Sequence, residues 1–181
     1  MPAAADPHRQ TGTERGGEAG AVSGGLVVHE AANAELRAAL DVQHAAFERV
    51  ARMFGIPPDR LSAVTESLVD LIAQRDAGSS VLVAVVAGCV VGTVRALVRP
   101  DGVVEVGRLA VDESFLRQGI GRALMRAVEQ AYPKSRRFEL FTGAEAEVPL
   151  ALYEGLGYRT FKRQAGENVD IVWLAKDRGP Q

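Results

Sequence analysis

Residues 103–126, VVEVGRLAVDESFLRQGIGRALMR, combine the patterns of a strand, a short loop and a helix. The β-branched and apolar residues of 103–111 favour a strand. Apolar residues then recur with the spacing of one helix face, at Ile120, Leu124, Ala127, Val128 and Ala131. Gly119 and Gly121 stand where that helix begins, and a helix N-terminus offers unpaired N–H groups and partial positive charge. The stretch therefore predicts a seat for a phosphate or pyrophosphate.

Two familiar phosphate loops fit this stretch poorly. The Rossmann fingerprint needs a third glycine, and Leu124 stands at that position. The loop of nucleotide hydrolases needs a Gly-Lys-Ser/Thr ending, and the chain contains no such tripeptide. Three consecutive strands also precede the loop, over about 81–86, 90–98 and 103–111, which is unlike an alternating strand-helix order.

A third reading rests on a family resemblance. Residues 109–124 resemble the acyl-coenzyme A loop of the GNAT superfamily of N-acyltransferases, whose pattern is Gln/Arg-x-x-Gly-x-Gly/Ala after a strand ending apolar-x-Val. Leu109-Ala110-Val111 matches the strand end, and Arg117-Gln118-Gly119-Ile120-Gly121-Arg122 matches the loop. Leu116 departs from the pattern, because the family usually has Gln or Arg there.

A second motif follows about thirty residues later, past one strand. Residues 152–158, LYEGLGY, resemble the GNAT signature Leu-Tyr-x-x-x-Gly-Phe/Tyr. Many members carry an Asn shortly before the Tyr, and none stands between Gly143 and Tyr153 in this chain. The two motifs in this order are more specific than either alone.

The resemblance implies a fold and a domain plan. The fold class is α/β (α+β), as a single GNAT-like domain with about four helices. Its central sheet is mixed, mostly antiparallel, with about six to seven strands, and splayed between the strands ending at Val111 and Thr142. The domain spans residues 26–176 and is followed by a polar C-terminal tail, 177–181. Residues 1–25 are poor in large apolar side chains, which predicts a disordered N-terminal tail.

Composition narrows the range of functions. The chain has 181 residues, 47% hydrophobic and 24% charged, which suits one globular domain. A net charge of −2 favours neither nucleic acid nor an anionic membrane as a partner. One cysteine, Cys89, and three scattered histidines predict neither a disulfide nor a metal site. We expect a cytoplasmic protein, because no signal peptide or apolar segment of membrane length stands in the sequence.

The resemblance also assigns roles in an acetyl transfer from acetyl-CoA to an amine. Leu109, Ala110 and Val111 would pair with the pantetheine arm, and the Val111 N–H would polarise the thioester carbonyl. The cofactor-binding loop would be Arg117, Gln118, Gly119, Ile120, Gly121 and Arg122, whose amides would hold the pyrophosphate.

Two residues are candidates for the catalytic proton transfers. Tyr153 would be the general acid that protonates the departing thiolate, and its alternative role is packing on a short helix. Glu105 is the candidate base, and its alternative is an outward-facing strand carboxylate, with a water chain doing its work. Glu139 is the second candidate base. Phe54, Gly55 and Ile56 are candidate acceptor contacts.

The function predicted from the sequence is an N-acetyltransferase that uses acetyl-CoA as acyl donor, with no metal. The acceptor is a small-molecule or peptide amine whose identity stays open, because acceptor loops vary independently of the fold. The alternative is a non-catalytic acyl-CoA sensor or interaction module on the same fold. Dimers are common in the family, so a homodimer is among the expected assemblies.

Overall fold

A computed structural model describes residues 25–179. In that range the strands are β1 (Val27–Glu30), β2 (Ser80–Val86), β3 (Cys89–Val98), β4 (Val104–Val111), β5 (Arg137–Gly143), β6 (Arg159–Gln164) and β7 (Ile171–Asp177). The α-helices are α1 (Leu36–Phe54), α2 (Ser62–Thr65), α3 (Leu68–Asp76), α4 (Ile120–Ala131) and α5 (Glu147–Gly155). The predicted disordered tail, residues 1–25, lies outside the described residues except for its last position. At the other end, β7 runs one residue past the predicted domain boundary.

The seven strands form one sheet in the order β1-β2-β3-β4-β5-β7-β6. Every neighbouring pair is antiparallel except β4 and β5, which run parallel. These two strands pair only through Val104 with Phe138 and Glu105 with Glu139, and then diverge. The structure confirms the predicted single α/β domain with a mixed, splayed sheet. The gap opens toward the carboxyl ends of β4 and β5, where the glycine loop begins.

Helix α4 packs on one face of this sheet through the side chains that the 3.6-residue period predicts. Ile120, Leu124 and Val128 are buried there, together with Met125. Gly92 of β3 allows the helix to come close, because a Cβ at that glycine would lie 3.0 Å from Ile120 Cγ2. Helices α1 and α3 cover the opposite face, around a second buried cluster of Leu36, Leu40, Leu71 and Val81.

The segment between α1 and β2 differs from the sequence prediction. The helical spacing of Leu61, Val64, Leu68, Leu71 and Ile72 after Asp59 predicts one continuous helix. The structure instead has a short 3₁₀ turn (Pro58–Arg60), then α2, then α3. The break lies at Glu66, whose backbone is extended, and Ser67 caps α3 by accepting from the Asp70 N–H. The physical reason is burial of the Glu66 carboxylate against Arg95 of β3. A continuous helix would not direct that carboxylate toward the sheet. The break raises the number of α-helices from about four to five.

Within residues 25–179, no helix has the length and apolar character needed to cross a membrane.

Candidate active site

The carboxyl-terminal half of β4 carries a β-bulge that shapes the site. Thr93 pairs with Ala110 and Arg95 pairs with Gly107, so β4 holds one residue more than β3 between these pairs. Arg108, inside the bulge, has a φ of +56°, in the left-handed region that non-glycine residues rarely adopt. Bulges break the alternation of side chains and turn one of them in a new direction. The bulge therefore turns Arg108 out of the regular alternation, and its Nη2 donates to the Ser62 hydroxyl of α2 at 3.0 Å.

The end of β4 also presents backbone groups to the gap. The Asp112 N–H donates to the Val91 carbonyl at 2.8 Å. Because an antiparallel ladder alternates its direction, the Val111 N–H and carbonyl point away from β3. The Val111 carbonyl accepts a hydrogen bond from Arg49 Nη2 of α1 at 3.0 Å. Helix α1 thus fixes the strand end at which the Val111 N–H faces the gap.

The loop between β4 and α4 has the features of an anion seat. Arg117 and Gly119 both adopt left-handed backbone, with φ of +61° and +82°. No backbone acceptor in residues 25–179 takes a hydrogen bond from the N–H groups of 118–122, since the first such bond of the helix is from Ala123 to the Gly119 carbonyl. A Cβ at Gly119 would meet no atom within 4 Å. The loop therefore offers N–H groups without backbone partners next to open space at Gly119, which fits a pyrophosphate.

Tyr153 lies on α5 in the wall of a cavity between the diverging strands. This cavity, named here the apolar cavity, has a volume of about 420 Å³. Its walls include Leu109 of β4, Thr142 of β5 and the α1 residues Phe47 and Phe54. The Tyr153 side chain is only 8% exposed, and burial raises the pKa of its hydroxyl to about 12. Tyr153 therefore stays protonated at neutral pH and can donate a proton into the cavity.

Glu105 lies in a second, adjacent cavity of about 450 Å³, named here the polar cavity. Its polar lining includes Arg60, Ser62, Arg95, Glu105 and Arg108. Leu61, Gly107, Arg108 and Phe141 line both cavities, so the two cavities adjoin beside β4. The structure thus places Tyr153 and Glu105 in neighbouring cavities.

Glu139, the second candidate base, is held by two arginines. Its carboxylate accepts from Arg99 Nη1 at 2.8 Å and from Arg137 Nε at 2.6 Å. The two ion pairs occupy both oxygens of that carboxylate. Of the candidate acceptor contacts, Phe54 and Ile56 line the apolar cavity. Gly55 ends α1 with a left-handed φ of +62°.

Comparisons with known proteins decide the family. A family model described as "Acetyltransferase (GNAT) family" matches residues 41–158. The chain belongs to this family. The match spans both the glycine loop and the Leu-Tyr motif, so the membership predicted from those two motifs is confirmed.

One curated relative and several solved GNAT-fold structures are similar to this chain. N-acetylaspartate synthetase of Danio rerio is 34% identical over 115 residues, which make up 62% of this chain and 39% of that protein. The chain therefore spans about two fifths of that relative's length. A Thermoplasma acidophilum PaiA N-acetyltransferase in complex with coenzyme A aligns with a TM-score of 0.69 at 15% identity, covering 85% of this chain and 99% of that one.

A second structural relative is the ribosomal-protein-S18-alanine N-acetyltransferase of Escherichia coli. It aligns with a TM-score of 0.67 at 19% identity, over 84% of this chain and 93% of that chain. At these identities the two structures establish the shared GNAT fold.

The structure adds site residues that the motifs did not reveal. Arg49 secures the end of β4, and Arg108 lines both cavities. A hydrogen-bond network joins the buried residues Glu66, Arg95 and Gln43 to Gln74, and Arg95 and Gln74 line the polar cavity. The one sequence signal for Arg108 and Arg95 was a charged residue inside an otherwise apolar strand.

Proposed function

We propose that this GNAT protein transfers an acetyl group directly from acetyl-CoA to a primary amine. The observation that carries the proposal is the splay of β4 from β5, with the unpaired N–H groups of the loop at its mouth and Tyr153 in its wall. The donor supplies a thioester, and this chain supplies the groups that hold it and move the protons.

The positions of the residues support the proposed binding roles. The N–H groups of Gln118–Arg122 would bind the pyrophosphate, with the guanidinium groups of Arg117 and Arg122 adding charge. Leu109, Ala110 and Val111 would pair with the pantetheine arm through backbone groups at the edge of β4. The Val111 N–H would donate to the thioester oxygen and stabilise the charge that develops there. The proposed transfer uses no metal.

The proton balance gives Glu105 and Tyr153 opposite tasks. The amine nitrogen forms a bond to the acetyl carbon, and the bond from that carbon to sulfur breaks. Glu105 would take the proton that the amine loses, directly or through water, and Tyr153 would give its hydroxyl proton to the leaving thiolate. Water can reprotonate Tyr153 and deprotonate Glu105 before the next turnover.

Gly119→Glu is expected to abolish acetyl-CoA binding, because a carboxylate would occupy the open space beside the loop and repel the pyrophosphate. Calorimetric titration of the purified protein with acetyl-CoA measures this. Gly102→Glu is the matched control: it also has a positive φ (+81°) and open space around the glycine, but it lies before the other end of β4. Binding retained by Gly119→Glu would remove the loop from the proposal.

Release of the coenzyme A thiol in the presence of an amine tests turnover. The acceptor panel should contain small amines, free amino acids and peptides with free N-termini. L-Aspartate belongs in it because of the name of the zebrafish relative. Thiol release that depends on an amine supports the transferase. Tight binding of acetyl-CoA with no release for any acceptor would favour the alternative, an acyl-CoA sensor.

Glu105→Gln is expected to lower kcat at least about 10-fold, since general base catalysis contributes that much or more. It should also remove the limb of the pH–rate profile that reports deprotonation of the base. Glu30→Gln, an exposed carboxylate of β1 at the edge of the sheet, is the control for loss of one negative charge. A Glu105→Gln profile with the parent's shape and height would leave proton removal to water alone.

A further inference from the structure

The Arg108 guanidinium is positively charged, and no carboxylate within residues 25–179 forms an ion pair with it. Its Nη2 donates to the Ser62 hydroxyl at 3.0 Å, and its Nε is buried with no hydrogen-bond partner in residues 25–179. Burial lowers the pKa of the Arg108 guanidinium, but an arginine stays charged at neutral pH. A buried donor left unpaired destabilises a fold, and a charged one does so more strongly. The protein therefore keeps Arg108 there at a cost.

The other two arginines of the polar cavity already have carboxylate partners. Arg95 donates to Glu66 Oε1 at 2.6 Å and to Gln43 Oε1 at 2.6 Å, so its charge is neutralised within the fold. Arg60 is largely exposed and lies 3.5 Å from the Glu167 carboxylate. Of the three arginines that line this cavity, Arg108 is the half-buried one, and its Nε is a buried donor without a partner in residues 25–179.

The place of Arg108 matches the path of an acceptor. The bulge in β4 turns the Arg108 side chain out of the regular alternation of the strand. Arg108 borders both the cavity with Tyr153 and the cavity with Glu105. A left-handed backbone at a non-glycine residue costs free energy, and such strain is often found at functional sites. An amine that reaches the gap from the polar cavity passes this guanidinium.

We infer that the acceptor carries a carboxylate and that Arg108 binds it. The guanidinium fork accommodates a carboxylate through paired N–H donors, and within residues 25–179 the outer donor Nη1 makes no hydrogen bond while Nη2 makes one, to Ser62. Glu105, on the same cavity, would attract the ammonium group of the acceptor. Amino acids, which bear both charges, are therefore the substrate class. This inference rests on the proposed function for the amine side, while the carboxylate site can be measured without turnover.

Binding of matched probes to the full chain saturated with coenzyme A tests the site. The probes are L-methionine against L-methioninamide for the α-carboxylate, and L-aspartate against L-asparagine for a side-chain carboxylate, each titrated by calorimetry. In the parent, the carboxylate member of at least one pair should bind about 10-fold or more tightly than its carboxamide. Arg108→Met should reduce that preference to less than about 3-fold, and Arg108→Lys, which keeps charge without the fork, should retain part of it.

Controls separate a lost site from a lost fold. Arg37→Met removes one exposed positive charge from the start of α1 and should keep the parent's preference. Coenzyme A titration of Arg108→Met should match that of the parent, and its unfolding midpoint should be no lower, since Arg108 makes one side-chain hydrogen bond within residues 25–179. An equal affinity for both members of both pairs in the parent would overturn the inference, and so would a preference that survives in Arg108→Met.

Thiol release in the same preparations distinguishes this inference from the proposed function. A parent that acetylates amines equally well with or without a carboxylate keeps the transferase and loses the carboxylate site. A parent that binds the carboxylate probes through Arg108 but releases no thiol keeps the site and loses the transferase.

Discussion

Tyr153→Phe is expected to lower kcat about 100-fold while leaving the KM for acetyl-CoA close to that of the parent. General acid catalysis is typically worth two to four orders of magnitude in rate. The substitution removes only the hydroxyl, so the ring that packs beside Tyr158, with centroids 6.2 Å apart, stays in place. The N–H groups proposed to bind the coenzyme lie on another element, the loop before α4, and should be unaffected. Initial rates of thiol release at saturating acceptor measure the change.

The state of the Tyr153 hydroxyl in the cavity supports the role. Burial raises its pKa to about 12, so the hydroxyl keeps its proton through the neutral and mildly alkaline range. The same apolar walls disfavour a free thiolate, which increases its basicity. Proton transfer from Tyr153 would move that charge from the sulfur to the phenol oxygen, and water would then reprotonate Tyr153. We therefore expect no loss of activity from deprotonation of Tyr153 below about pH 11.

Tyr158→Phe is the matched control, because it removes the same atom from a neighbouring ring. Tyr158 is fully buried, and its hydroxyl has no hydrogen-bond partner within residues 25–179 that meets ordinary geometry. Burial and the nearby Glu129 raise the pKa of that hydroxyl. Its kcat should stay within about 2-fold of the parent. A folded Tyr153→Phe protein with the parent's kcat would assign thiolate protonation to water.

The parts of the fold that sequence could predict are those with a regular period. The strand at 104–111, the glycine turn at Gly119 and the apolar face of α4 all follow from spacing, because one buried face dictates each pattern. The splay between β4 and β5 was also predicted, from the resemblance to the family that the two motifs indicate. The sequence predicted the ends of helices and strands less accurately, since caps and short 3₁₀ turns depend on contacts made elsewhere in the chain.

The parts that sequence could not predict depend on contacts between distant residues. Glu66 and Arg95 are 29 positions apart, and nothing in either segment indicates that the other compensates its charge. The left-handed backbone of Arg108 arises from an unequal residue count between β3 and β4. Such a mismatch becomes visible only when the strand register is known. Both features lie at the polar cavity, where acceptor recognition is expected to reside.

Arg95→Met is expected to lower the free energy of unfolding at pH 7 by about 3 kcal/mol, because it leaves the Glu66 carboxylate buried without its counter-charge. The Arg95 and Glu66 side chains are only 8% and 5% exposed, in contrast to 63% and 83% for the pair of Arg60 and Glu167. Arg60→Met should accordingly cost less than about 1 kcal/mol. Urea unfolding followed by circular dichroism measures both variants.

The pH dependence of the same variants isolates the charge. Burial alone would raise the pKa of Glu66, but hydrogen bonds from Arg95, Gln43 and Gln74 outweigh it and lower the pKa to about 2. A pKa lower in the folded state than in the unfolded state stabilises the fold above the ordinary value of 4.5, and this contribution is lost as the pH falls from 4.5 toward 2. The parent should therefore lose stability across that window.

Arg95→Met should lose less stability than the parent as the pH falls, because without Arg95 burial disfavours the charged carboxylate and protonation relieves it. Adding Glu66→Gln to Arg95→Met should restore part of the stability at pH 7 by removing the uncompensated charge. Two results would show that the pair adds little to the fold. One is an Arg95→Met protein within about 1 kcal/mol of the parent at pH 7. The other is a variant whose loss of stability between pH 4.5 and 2 equals that of the parent.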